Sequence, residues 1–127
     1  MIQIKATVRG EPDVPPFTRV FDYGSSDEEI FFSSAEMIKE KLQHDMKINA
    51  NEALIAYCDY VVKAIRASMP DSAIQKDASK ILSADKVTIG VPETLQYITF
   101  EAKIDNKAAR KIIIKEPMQT SGYTMVG

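Results

Sequence analysis

Residues 49–68, NANEALIAYCDYVVKAIRAS, decide how the rest of the chain must fold. Leu54, Tyr57, Cys58, Val61, Val62 and Ile65 recur at i, i+3, i+4 and i+7, the rhythm of one helical face. Glu52, Asp59, Lys63 and Arg66 occupy much of the rest, so the spacing predicts an amphipathic helix. Asn49 can cap the free N–H groups, and Glu52, three residues on, can reach back to it. Ser68-Met69-Pro70 marks the end, because proline disfavours the helical conformation in the residue before it. A helix with so broad an apolar stripe needs partners on both sides of it in the chain.

N-terminal to it, Ser26-Asp27-Glu28-Glu29 is a capping-box pattern with acidic residues where the helix dipole favours them. Ile30, Phe31, Ser34, Met37, Ile38, Lys41 and Leu42 trace the stripe of a first helix running to about His44. Only Met46-Lys47-Ile48 separates it from the second helix, which predicts antiparallel neighbours. Further upstream, Ile2, Ile4, Ala6 and Val8 alternate with Gln3, Lys5, Thr7 and Arg9, and Phe17, Arg19, Phe21 and Tyr23 repeat the period of two. Between them lies the breaker-rich loop from Gly10 to Pro16, so residues 1–24 read as a β-hairpin.

C-terminal to it, Asp71 can cap a third helix whose inward residues are Ile74, Ala78, Ile81 and Leu82. Ser83 to Val87 reads as one further helical turn, and Gly90-Val91-Pro92-Glu93 redirects the chain. Ile98, Phe100, Ala102 and Ile104 then form a strand with one wet face, and Lys111 to Lys115 returns as its hairpin partner before Pro117. The reading is α+β: three to four helices on a small, mainly antiparallel sheet, with a C-terminal hairpin and an extra N-terminal one. Residues 1–24 are an extension, 25–118 the main domain and 119–127 a patternless tail.

Composition narrows function by exclusion. With 127 residues and 45% apolar content the chain suits one domain. A net charge of −2 predicts no nucleic-acid partner, and apolar runs of a few residues predict no membrane span. The N-terminus lacks a signal-peptide shape, and one cysteine cannot form an intrachain disulfide, which together suggest the cytoplasm.

From Ile48 onward the chain resembles the urease gamma subunit family. Its Leu-Asn-x-x-Glu-Ala run is met by Ile48-Asn49-Ala50-Asn51-Glu52-Ala53. Its later signature is met by Ile81-Leu82-Ser83 and Gly90-Val91-Pro92-Glu93, and its strand pattern by Ile98 and Glu101-Ala102. Pro117-Met118 matches its Pro-Ile type ending. The resemblance covers roughly residues 25–118 and departs from the pattern in four places. Residues 1–24 have no counterpart, Asp105-Asn106-Lys107-Ala108 replaces a Pro-Asp-Gly turn, Lys115 stands where a histidine is usual, and Ser68 stands where a glycine ends the central helix.

What the resemblance implies is a non-catalytic structural subunit. It would join urease beta and alpha subunits into a nickel-dependent urea amidohydrolase whose dinickel site lies on alpha, with no cofactor on this chain. The alternative is a stand-alone gamma-like scaffold that self-associates as a homo-oligomer. The residues agree independently. A nickel pair that activates water needs a cluster of imidazole and carboxylate ligands, and His44 is the single histidine. At the end of the first helix, His44 reads as a dipole-stabilised surface residue. Cys58, on the apolar stripe, reads as a small core hydrophobe. Asp27, Glu28 and Glu29 read as helix N-terminal charges. Lys107, Arg110, Lys111 and Lys115 read as a solvated basic patch that guards a sheet edge. Gly90-Val91-Pro92-Glu93 lacks the further glycine and lysine of a phosphate loop. No catalytic, cofactor-binding or metal residue is assigned.

Overall fold

The computed structural model describes residues 2–10, 16–23, 28–104, 109–115 and 117, with the backbone alone for 2, 21–23 and 28–31. The expected cap at Ser26, Asp27, the turn at 105–108 and the tail from 119 lie outside them.

The elements follow in the order β1 (Ile2–Arg9), β2 (Phe17–Tyr23), α1 (Glu28–Gln43), α2 (Ala50–Arg66), α3 (Asp71–Ala78), a 3-10 turn (Ala84–Lys86), α4 (Val91–Thr94), β3 (Tyr97–Ile104) and β4 (Arg110–Lys115). The sheet order is β2-β1-β3-β4, antiparallel throughout, so the fold is α+β as expected. The N-terminal strands pair with each other and also extend the C-terminal hairpin, through β1 against β3.

Register explains the core. Val8, Ile98 and Ile114 form one row across β1, β3 and β4, and Ala6, Phe100 and Ile112 form the next. Ile4 faces Ala102 in the third. All eight side chains are buried, and small residues face large ones in two of the rows, which lets the layer fill without voids. At the margins of this inner face stand two arginines. Arg19 of β2 donates to the Asn51 side-chain oxygen at the start of α2. Arg110 of β4 donates through Nε to Asp71 Oδ1 at 2.9 Å and through an Nη to the Met69 carbonyl at 2.9 Å. Two opposite sheet edges are thereby tied to the helix layer.

α2 carries that layer. Its capping box forms as the sequence predicts: Asn49 Oδ1 accepts from the Glu52 N–H at 2.8 Å, and the Asn49 N–H donates to Glu52 Oε1 at 3.1 Å. The six predicted stripe residues are all buried, and so are Ala53, Ala64 and Asp59. At its end, the Ser68 N–H reaches the Ile65 carbonyl and the Met69 N–H reaches that of Ala64. This αL cap sets Ser68 at φ +61°, the backbone region where glycine is preferred. α1 ends in the same way at Asp45, φ +58°, with Asp45 and Met46 N–H groups on the carbonyls of Leu42 and Lys41.

Four local expectations are corrected. In α1 the described buried positions are Ala35 and Ile38, with Phe32 and Leu42 partly covered, while Met37 is 62% exposed. The stripe is rotated toward the small buried Ala35 and away from Met37. Asp71 does not cap α3: Pro70 holds that place without a side-chain bond, and Asp71 opens the helix and pairs with Arg110. Ile81 and Leu82 lie past the end of α3, with Leu82 buried. Gly90-Val91-Pro92-Glu93 does more than redirect the chain, since Val91–Thr94 is a helical turn entered through Gly90 at φ +93°.

Candidate functional site

Two regions of the described surface could meet another molecule. The first is a groove between α1, α2 and the segment after α3. It encloses about 250 Å³, with walls from Ile38 and Leu42 of α1, Ala56 and Tyr60 of α2, and Ile81 and Leu82. Asp59 also lines it and its side chain is only 6% exposed. Its Oδ2 lies 3.0 Å from Lys63 Nζ and 3.8 Å from Lys39 Nζ, both half in solvent at the rim. Its Oδ1 is buried with no hydrogen-bond partner. A buried carboxylate oxygen without a donor is costly, about 1–3 kcal/mol or more, and calls for an explanation. Asp59 lies off the predicted apolar stripe and is nevertheless buried. It follows the buried pair Tyr57-Cys58 and lies on the side of α2 that α1 covers, within 3.8 Å of Lys39.

On the outer side of the same helix pair, Lys41 Nζ meets Glu52 Oε2 at 2.6 Å. Burial opposes ionisation of Glu52, but Lys41 and the Asn49 N–H prevail and hold its carboxyl below the ordinary value.

The second region is the outer face of the sheet. Lys5, Glu101 and Lys111 face one another in register, a cross-strand charge ladder. Thr7, Thr99 and Ile113 form a second row, and Arg9, Tyr97 and Lys115 a third. Lys5, Arg9, Lys103, Lys111 and Lys115 are exposed against Glu101 alone among the described side chains of this face. A chain of net charge −2 thus presents one locally basic surface, built jointly by β1 and the C-terminal hairpin.

The residues singled out from sequence are dispersed. His44 is exposed in the turn after α1. Cys58 is fully buried, as the stripe predicts. Asp27 and Lys107 lie outside the described residues, and of Glu28 and Glu29 only the backbone is described. Lys111 and Lys115 are exposed on the edge strand β4, whereas Arg110 is committed to Asp71 and Met69 and does not belong to a solvated patch. No three His, Cys, Asp or Glu among the described residues are grouped to hold a metal. No helix among them is long and apolar enough to cross a membrane. The donor set does not fit a nickel pair, because the only imidazole stands exposed and apart from the buried carboxylate.

Comparison with known proteins supplies what geometry cannot. The family model of the urease gamma subunit matches residues 25–118. The urease subunit gamma of Halalkalibacterium halodurans is 32% identical over 88 residues, which span 69% of this chain and 87% of that protein. Those of Haloquadratum walsbyi and Saccharopolyspora erythraea are 23% and 24% identical, over 88 and 85 residues that span 81% and 84% of those proteins. The match begins after β2, takes in all four helices and the C-terminal hairpin, and carries the Gly90-Val91-Pro92-Glu93 turn. This chain belongs to the urease gamma subunit family, with β1 and β2 standing outside the shared region.

Proposed function

We propose that the chain is a non-catalytic structural subunit that assembles in the cytoplasm with urease beta and alpha chains. The nickel-dependent hydrolysis of urea would then take place on the alpha partner. The family match across residues 25–118 carries this reading. The chemistry of the side chains supports it: attack on a resonance-stabilised amide at neutral pH needs an activated hydroxide with electrostatic stabilisation. This chain offers for that task one exposed imidazole and one thiol enclosed in the core. The basic outer sheet face is the natural contact for an acidic partner surface.

The test is co-expression with beta and alpha chains from the same host, followed by light scattering and an ammonia assay. The reading expects co-elution at a mass well above 14.2 kDa and ammonia release from the complex alone. Urea turnover by the isolated chain, or beta and alpha assembling without it, would overturn it. A second reading, a scaffold that associates with itself, is favoured by one observation. β1 occupies an edge of β3 and adds its own half to the outer face, beyond the region shared with the family. A homo-oligomer that ignores both partners would establish it.

A further inference from the structure

We propose that the outer face of the sheet docks a protein surface of matched charge, acidic at four corners and with one cation or hydrogen-bond donor midway along one side. This deepens the assembly reading and rests on it, since the partner is another protein chain. Register puts Lys5, Glu101 and Lys111 in one row across the strands and Arg9, Tyr97 and Lys115 in another. The rows lie four residues apart along the strands, about 13 Å, and β1 and β4 stand two strand spacings apart, about 10 Å. Lys5, Arg9, Lys111 and Lys115 therefore mark the corners of a rectangle, and all four are exposed. The row between them, Thr7, Thr99 and Ile113, is uncharged. β1 supplies two of the corners, so the strands outside the family match build half of this surface.

Cations gathered on one face of a chain whose net charge is −2 attract an oppositely charged surface and fix its register. Glu101 decides what kind of surface. It is exposed between Lys5 and Lys111. A partner with carboxylates opposite those two lysines must set a positive or donor group opposite Glu101, or leave like charges facing each other. A nucleic acid backbone carries one sign only and lacks that group, whereas a protein surface can hold both. A second copy of this chain cannot supply the match face to face, since cations would meet cations at the corners.

The experiment co-expresses a tagged alpha chain with beta and lets equal amounts of natural and variant full chain compete for them. Mass spectrometry of the captured complex reads the ratio. Arg9→Glu and Lys115→Glu, on different strands and each facing Tyr97, should both be about tenfold under-represented. Glu101→Gln should be depleted about threefold, although it makes the face more cationic. Lys80→Glu, the same charge change at an exposed residue off this face, should compete evenly. Raising salt from about 0.1 to about 1 M shortens the screening length from about 10 to about 3 Å, and should speed release of the natural chain about tenfold or more. Even competition by Arg9→Glu and Lys115→Glu, enrichment of Glu101→Gln, equal depletion of Lys80→Glu, or release unchanged by salt would each overturn the proposal and leave the assembly reading in place. Absence of the natural chain from the captured complex would overturn both. The salt series needs no variant to fold.

Discussion

β1 and β2 carry the same alternating pattern and pair residue for residue, yet they end in different surroundings. Ile4, Ala6 and Val8 of β1 are fully enclosed. On β2, Phe17 is half-buried and Arg19 is exposed, although both share the inner face with Val8 and Ala6. Alternation tells which side chains share a face. It does not tell whether anything lies over that face. β1 has β2 on one side and β3 on the other, beneath α2, whereas β2 is an edge whose inner margin needs a cation long enough to reach Asn51. The difference teaches that the segment outside the family match is divided: one strand belongs to the core and the other closes it.

The largest test of this contrast lies under β1. Leu54, fully buried on α2 in the same cluster as Ile4, should not tolerate a carboxylate. Leu54→Asp should unfold the domain at neutral pH, since an uncompensated buried charge costs several kcal/mol, comparable to a small domain's whole margin. A denaturation curve with a near-native midpoint would refute the placement. Next comes the contrast itself. Ile4→Ala should cost about 2–5 kcal/mol as a cavity in a closed core, and the half-buried Phe17→Ala less than half as much. Equal losses in urea melts would erase the distinction between the two strands.

Gly10, at the end of β1, sharpens the join between extension and family region. A Cβ there would stand 2.4 Å from the Glu93 carbonyl oxygen and 2.6 Å from that of Thr94, both backbone atoms of α4. Gly10→Ala should therefore cost about 1–3 kcal/mol by overpacking, read as a lower melting temperature. A neutral result would mean that β1 does not abut α4.

Tyr57 probes the opposite end of the chain, because its hydroxyl donates to the Pro117 carbonyl at 3.0 Å inside the core. Tyr57→Phe should cost about 1 kcal/mol at neutral pH. Burial pushes the phenol well above its ordinary value of 10.0. A group whose folded value is raised contributes its stability below the unfolded value and loses it as pH climbs further. The natural chain should thus lose stability above about pH 10 more steeply than Tyr57→Phe, by pH-dependent melts. The smallest effect has the opposite sign. Ser68→Gly should stabilise by about 0.5–1 kcal/mol, since Ser68 holds a left-handed conformation that glycine adopts freely.

Legibility followed the range of the interactions. α2 was readable to its cap because its signals are local: Asn49, Glu52, the stripe and Pro70 lie within about six turns. The inner residues of the sheet were readable as alternation for the same reason. The sheet order was not, because β1 against β3 joins segments most of the chain apart. In α1, Met37 and Ala35 both fit a helical period, and Ala35 is the one that is buried. α4 leaves one trace in the sequence, a proline at the second position of a helical turn. Asp59 lies off the apolar stripe in sequence, and its burial depends on α1, which brings Lys39 to within 3.8 Å of it. No part of the groove could be foreseen, since three separate segments build it.

Hydrogen exchange along β1 tests the central claim most directly. As an inner strand bonded on both sides, β1 should exchange its amides at residues 4–8 only through global unfolding, with the same opening free energy as Val61 and Val62 of α2. Exchange at residues 4–8 that is orders of magnitude faster than in α2 would show a hairpin resting on a finished domain, and would contradict the account.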